Sequence, residues 1–344
     1  MEKLSFASDY MEGAHPALLQ RLVETNLEKT PGYSADDYCE SARQKIRAAC
    51  RCPGAAVHFL AGGTLTNALM IGAILRTYQG VVAADTGHVS LHEAGAIEHS
   101  GHKVLTIPHE GGKLTASALR RYLETFWADG NRGQMVMPGM VYISQPTEYG
   151  TLYSLTELTA LREVCDKYKL PLYVDGARLA YALACRENDV TLPELARLCD
   201  AFYIGGTKCG ALLGEAVVMR DAALIPEFYT VMKQYGGLLA KGRLMGLQFE
   251  ALFTDDLYLR IGKPAIEAAD RMREIFPAAG YPLAIASPTN QVFPIVPTTE
   301  LEMLAAVVDY SFWEKYDEAH TVLRFAASWA TRMDDVERLA ELLK

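Results

Sequence analysis

Up to about residue 220, short apolar runs alternate with longer segments of helical period, and that alternation admits few folds. Apolar and β-branched runs at 55–60, 81–84, 103–107, 140–144, 172–174, 201–204 and 215–219 read as strands. Between them, 64–76, 91–99, 115–126, 154–168 and 192–199 read as helices. In 115–126 the spacing is plain: Leu119, Tyr122, Leu123 and Phe126 fall at i, i+3, i+4 and i+7, one face of a helix. Strands alternating with helices predict βαβ units and a parallel sheet. The texture changes after residue 236, where 237–258 and 265–276 read as helices, 291–296 and 321–326 as strands, and 300–309 and 334–343 as helices. The expected fold class is α/β, with a large, mostly parallel sheet covered by helices in residues 1–245 and a smaller α+β unit in 246–344.

Composition removes several function classes. The 33 Lys and Arg residues against 42 Asp and Glu leave a formal charge of −9, and no basic run offers the clustered cations that nucleic acid requires. With 50% apolar and 22% charged residues the chain is not a disordered one. Seven scattered cysteines without a C-x-x-C pair read as reduced thiols of a cytoplasmic protein. Cys50 and Cys52 flank a single Arg, which does not match a zinc knuckle. The first nine residues lack the apolar core of a signal peptide. Residues 52–75 carry no Lys, Arg, Asp or Glu, a length that could span a bilayer. Gly62-Gly63-Thr64 interrupts them at the centre, however, and His58, Thr66 and Asn67 add polar groups, so a strand, a glycine turn and a buried helix are expected instead.

In open parallel sheets ligands bind beyond the carboxyl ends of the strands, and three such ends carry chemistry. After 55–60 comes Gly62-Gly63-Thr64 at a helix start, where free N–H groups and the helix dipole attract an anion. After 172–174 comes Asp175, a carboxylate too costly to bury without a cation or strong donors. Either a local pair with Arg178 or a protonated ring nitrogen would serve. Thirty-three residues later, Lys208 stands among glycines and apolar residues; a desolvated amine loses basicity and becomes a nucleophile toward aldehydes. An anion cradle, a buried acid and an imine-forming lysine together describe the needs of pyridoxal 5′-phosphate. Five of the eight histidines, His88, His92, His99, His102 and His109, cluster in 22 residues. His88 and His92 have a metal-like i, i+4 spacing but H-E-x-x-H fails, so no metal is expected and His88 is the one assigned to the site.

With these residues on view, the chain resembles the L-threonine aldolase and β-eliminating lyase group of fold-type-I pyridoxal-phosphate enzymes, which share the aminotransferase-like fold. The matching motifs run nearly end to end: Ser8-Asp9, Tyr33, Gly63-Thr64-x-x-Asn67, His88 with Glu93-Ala94-Gly95, Thr147, Val174-Asp175-Gly176-Ala177-Arg178, Lys208 and Leu323-Arg324-Phe325. The resemblance implies that Lys208 holds the cofactor through an imine, that Asp175 pairs with its ring nitrogen and that His88 stacks on the ring. It assigns Gly63 and Thr64 to the phosphate and places Gly62 and Thr207 among the other cofactor contacts. Ser8, Tyr33, Thr147, Arg178 and Arg324 would bind the substrate, with Arg178 also among the cofactor contacts. Assembly as a dimer of dimers, with Tyr33 reaching a neighbouring copy, is implied as well. Three positions depart from the pattern. Ala7 precedes Ser8 where an Arg is usual, Glu148 replaces a histidine near the substrate hydroxyl, and Lys241 stands where an arginine would meet the phosphate.

The expected reaction is cleavage of a β-hydroxy-α-amino acid to glycine and an aldehyde, with His88, Glu148 or a water between them as base. β-Elimination or another pyridoxal-phosphate reaction of an amino acid on the same scaffold, or a binding protein that has lost catalysis, are the alternatives. Intact Lys208, Asp175 and Arg178 weigh against the last.

Overall fold

A computed structural model describes residues 3–344; the first two residues of the N-terminal stretch read above lie outside it. Seven strands form the main sheet: β1 (Ala56–Leu60), β2 (Gln79–Ala84), β3 (Val104–Ile107), β4 (Met137–Ser144), β5 (Leu172–Asp175), β6 (Ala201–Gly205) and β7 (Glu215–Met219). Their spatial order is β1-β7-β6-β5-β4-β2-β3. β2 to β6 pair in parallel. β7 runs antiparallel to both neighbours, β1 and β6. The sheet is therefore mostly parallel, as expected, with β7 as its one antiparallel strand. The reason lies in the connection: only the short glycine-rich turn 206–214 joins β6 to β7, and a turn that short cannot make the crossover a parallel partner needs.

The uncharged stretch resolves into β1, a turn and the helix Gly63–Ile74, and among the described residues no helix is long and apolar enough to cross a membrane. Most predicted elements recur within a few residues of their expected ends, with four corrections. The expected helix 91–99 is two single turns, His88–Leu91 and Ala96–His99, separated where Ala94 and Gly95 take positive φ (51° and 72°). The expected long helix 237–258 begins only at Arg243, ends at Leu252 and is followed by Leu257–Arg260 after Asp255 and Asp256 turn left-handed. The strand expected at 291–296 splits into Gln291–Val292 and Ile295–Pro297 around Pro294, which has no N–H for the ladder. The helix expected at 300–309 stops at Val307, because Val308–Asp309 pairs in parallel with Leu4–Ser5.

That pairing matters for the site. His320–Ala326 is flanked by Ile295–Pro297 and Ser311–Lys315 in an antiparallel sheet, and Gln291–Val292 pairs with its last residues. The N-terminal segment runs along this unit, with the Phe6 N–H donating to Asp309 (2.9 Å) and the Ala326 N–H donating to the Phe6 carbonyl (2.8 Å). Ser8, Asp9 and Tyr10 are thereby delivered to the mouth of the main sheet. The boundary expected at 245/246 falls inside the helix Arg243–Leu252, which packs across Asp37–Ala49. Gly246 lies at that crossing, where a Cβ would meet the Cys39 backbone at 2.7 Å. Gly246→Val should therefore destabilise the fold by roughly 1–3 kcal/mol through overpacking, read as a lower unfolding midpoint; an unchanged midpoint would contradict the close crossing.

Candidate active site

The carboxyl ends of β1, β2, β4, β5 and β6 open onto a cavity of about 300 Å³. Ten of the residues singled out from the sequence line it: Gly62, Gly63 and Thr64 at the helix start, His88, then Thr147 and Glu148, then Asp175 and Arg178, and finally Thr207 and Lys208. A second cavity of about 320 Å³ shares Tyr10, His88, Glu148, Arg178 and Lys208 with it and reaches Arg324.

Asp175 occupies the floor. Its Oδ1 accepts from the Tyr203 hydroxyl (2.5 Å) and the Ala177 N–H (3.0 Å), its Oδ2 from the Tyr142 hydroxyl (2.8 Å) and Asn67 Nδ2 (2.9 Å). Burial pushes this carboxyl up, but the nearby His88 and the donors from Tyr203, Asn67 and Ala177 outweigh it and hold the pKa below the ordinary carboxylate range. Burial, and then the Asp175 charge, push the phenols of Tyr142 and Tyr203 well above their usual value, so both remain donors. The alternative of a local pair with Arg178 does not form. Arg178 turns instead to Asp9, donating from Nε to Oδ2 (2.6 Å) and from Nη2 to Oδ1 (3.0 Å). Burial pushes the Asp9 carboxyl up, yet the Arg178 and Lys208 charges bring it down to about 2.

Lys208 reaches the cavity because two chain turns pack without side chains between them. Gly205 donates its N–H to the Gly176 carbonyl (3.0 Å), and a Cβ on either glycine would collide with the opposing backbone. Burial, then the Arg178 charge, lower the basicity of the Lys208 amine against the pull of Asp9, Asp175 and Glu215. Its Nζ stands 5.8 Å from the Tyr10 ring centroid. At the helix start, Gly62 is the N-cap and no side chain caps the first turn, which leaves those N–H groups to the cavity. On the opposite side His88 binds Glu93 Oε1 through Nδ1 (2.8 Å), and the same oxygen accepts from Asn67 (2.7 Å). The His88 N–H and the Ser144 hydroxyl both donate to Glu148 Oε1, at 2.9 and 2.7 Å, while burial raises the Glu148 pKa. Arg324 donates from Nη2 to the Ala7 carbonyl and the Ser311 hydroxyl, both at 3.2 Å, and lies 5.6 Å from the Trp313 ring centroid. Its buried Nε has no partner, and burial followed by Arg178 brings its pKa down to about 10.

Three residues assigned from the resemblance are not in these linings. Ser8 has its hydroxyl buried without a partner, and it is the next residue, Asp9, that meets Arg178. Tyr33 sits on a turn, 41% exposed, with the Lys233 ammonium 4.5 Å from its ring centroid. Lys241 is exposed in the segment before Arg243–Leu252. Within one chain, neither Tyr33 nor Lys241 is brought to the cavity. Conversely, Asp9, named above only within a motif, and Tyr10, Tyr142, Tyr203 and Glu215 stand at the site with no role assigned to them from the sequence. A tyrosine on a buried strand requires a partner for its hydroxyl, which was the available sign for Tyr142 and Tyr203. Glu215 begins β7, and a search of carboxyl ends alone does not reach the amino end of an antiparallel strand.

The donor set fits pyridoxal phosphate: an uncapped helix start for an anion, a buried carboxylate held ionised for a protonated pyridine nitrogen, and an amine of lowered basicity for an aldehyde. One consequence concerns stability. Because the folded Asp9 pKa lies below its ordinary 3.8, the Asp9–Arg178 pair stabilises the fold above pH 3.8 and loses that contribution as pH falls toward 2. Asp9→Asn should remove this acid-sensitive component and, by leaving a buried guanidinium unpaired, destabilise the protein at pH 7 by roughly 3–5 kcal/mol. Unfolding midpoints at pH 7 and pH 3 check both; a variant as stable as the parent at pH 7 would contradict the pairing.

Comparison with known proteins agrees with this chemistry. The family model for beta-eliminating lyases matches residues 5–331. A low-specificity L-threonine aldolase of Pseudomonas aeruginosa is 30% identical over 349 residues, covering 98% of this chain and 96% of its own. The structure of a Leishmania major threonine aldolase superposes with a TM-score of 0.95 at 39% identity, covering 99% and 98% of the two chains. Aspartate aminotransferase of Thermus thermophilus, at 15% identity and TM-score 0.73 over 99% of this chain and 91% of its own, shares the fold, fold type I. The cofactor is pyridoxal phosphate, and the chain belongs to the beta-eliminating lyase family.

Proposed function

We propose that this chain is an aldolase that cleaves β-hydroxy-α-amino acids of the L-threonine type to glycine and an aldehyde. The observation that carries the reading is the pair of guanidiniums, buried Arg178 and half-buried Arg324, facing one cavity together with Lys208. Arg324, with an unpartnered Nε and a pKa lowered by burial and by Arg178, gains most from a carboxylate placed between them. The names of the Pseudomonas and Leishmania relatives support the substrate class.

Bound, the cofactor supplies an electron sink for the charge left on Cα when the Cα–Cβ bond breaks. Lys208 would hold it covalently, and its amine would serve to carry a proton. Asp175, fixed by four donors, would pair with the ring nitrogen. The backbone amides of Gly63 and Thr64 and the Thr64 and Thr207 hydroxyls would seat the phosphate, and the His88 ring would lie against the pyridine. Arg324 and Arg178 orient the carboxylate, with Thr147 beside it. Glu148 takes the β-hydroxyl proton: Oε1 is occupied by His88 N–H and Ser144, which leaves Oε2 as the acceptor, and burial raises its basicity.

The same proposal divides the work between residues 1–245, which carry Lys208 and Asp175, and residues 246–344, which carry Arg324. It also makes the enzyme a cytoplasmic homotetramer, in which exposed Tyr33 and Lys241 meet the site of a neighbouring copy.

Incubation of the holoenzyme with L-threonine, L-allo-threonine, phenylserine and serine, with assays for glycine, aldehyde and ammonia, tests the reaction. Glycine and aldehyde in equal amounts are expected, with kcat lowered roughly 10²–10⁴-fold in Glu148→Gln and abolished in Lys208→Ala. Ammonia and a keto acid without glycine would make the enzyme a β-eliminating lyase instead, and full activity in Glu148→Gln would remove that residue as base.

A further inference from the structure

Glu215 is a buried carboxylate with no part in the reaction above. It is 3% exposed, lines the main cavity beside Gly62, Gly63 and Thr64, and enters from the amino end of β7. Each of its oxygens has one partner. Oε2 accepts from the Gly206 N–H (3.0 Å), and Oε1 accepts from the Thr207 hydroxyl (2.8 Å). The Thr207 oxygen in turn accepts from the Gly214 N–H (3.1 Å). A hydroxyl has a single hydrogen. While Glu215 is ionised, Thr207 spends that hydrogen on Oε1 and has none for an anion in the cavity.

The charge balance points the same way. The cations lining this cavity, leaving His88 aside, are Lys208 and Arg178, and Arg178 is already paired with Asp9. A phosphate at the helix start therefore shares the cavity with Glu215, and two neighbouring anions disfavour each other's ionisation.

We propose that Glu215 takes up one proton, on Oε1, when the phosphate group of the cofactor binds, and that this frees the Thr207 hydroxyl to donate to the phosphate. The proton belongs on Oε1 because the partner of Oε2 is an N–H, which can only donate. Protonated Oε1 donates to the second lone pair of the Thr207 oxygen, whose first is held by Gly214, so every hydrogen bond of the cluster survives with one reversed. The inference rests on the phosphate seat lying at Gly62–Thr64.

The groups facing Glu215 leave the proton within easy reach. Burial pushes its carboxyl up to about 7, opposed by Thr207, Gly206 and the Lys208 charge and reinforced by Asp175. The remaining titratable neighbours are Cys209 and the phenols of Tyr173, Tyr203 and Tyr258, each raised by burial and by the Glu215 charge, and so neutral at pH 7. A group whose pKa rises on ligand binding favours the ligand at low pH, so affinity falls as pH climbs above 7.

Pyridoxine 5′-phosphate, which lacks the aldehyde and forms no bond with Lys208, isolates this effect. Its affinity for the cofactor-free full chain is to be measured from pH 7 to 9 by calorimetry in two buffers of different protonation heat, for the parent and for Glu215→Gln. The amide of Gln supplies permanently the donor that protonation supplies in the parent. The ratio of variant to parent affinity should rise by about tenfold per pH unit, the slope of one linked proton, whereas any titration of Lys208 is common to both and cancels. At pH 8 the parent should take up about one proton more than the variant. Unphosphorylated pyridoxine should show neither effect, a comparison that the parent alone provides should the variant fail to fold. Thr64→Val separates the two premises. Unchanged binding in that variant would overturn the phosphate seat. Weakened binding there, together with a ratio that stays constant with pH or with equal proton counts, would overturn the role of Glu215 and leave the seat intact.

Discussion

The burial of one ionised carboxylate, Asp175, is the constraint around which this site is arranged. A carboxylate at the end of an apolar strand is tolerated only when it is strongly hydrogen-bonded, and four donors, three of them from other elements, converge on it. Asn67 comes from the helix after β1, Tyr142 from β4 and Tyr203 from β6. Each tyrosine occupies a buried strand position that an aliphatic residue would otherwise take. The arrangement also fixes the neighbours: the Asn67 amide that serves Asp175 serves Glu93, and Glu93 holds the His88 ring. Floor and wall of the cavity are thus one hydrogen-bonded unit.

The second support comes from outside the sheet. Arg178, three residues after Asp175, would crowd the floor with positive charge had it no partner. The N-terminal segment supplies Asp9, which arrives there because Leu4–Ser5 pairs with Val308–Asp309. The same strip of backbone binds Arg324 through the Ala7 carbonyl. The two ends of the chain and the middle of the sheet therefore meet at the two guanidiniums.

Much of this was legible before any coordinates. The period of the apolar runs located all seven strands of the main sheet, and the rule that ligands lie past strand ends brought Gly62, Asp175 and Lys208 together. What local pattern could not show was set by distant pairing. Helix 300–309 yields its last residues to a strand that pairs with residues 4–5, and 237–258 breaks at aspartates whose left-handed backbone no hydrophobic period reveals. Proximity in sequence makes Arg178 a possible partner of Asp175, yet its actual partner is 169 positions away. Glu215 escaped for a topological reason: β7 runs against its neighbours, so its amino end, not its carboxyl end, faces the cavity. Tyr33 and Lys241 lie apart from the cavity in a single chain, and their assignment rests on assembly.

The central claim is that the amine next to Asp175 is the one that holds the cofactor. Reduction of the holoenzyme with borohydride, followed by proteolysis and mass mapping of the pyridoxyl group, tests it directly. The account predicts a single modified site, Lys208, lost in Lys208→Ala with no other lysine taking its place. A pyridoxyl group on a different lysine, or none on Lys208 in the parent protein, would contradict it.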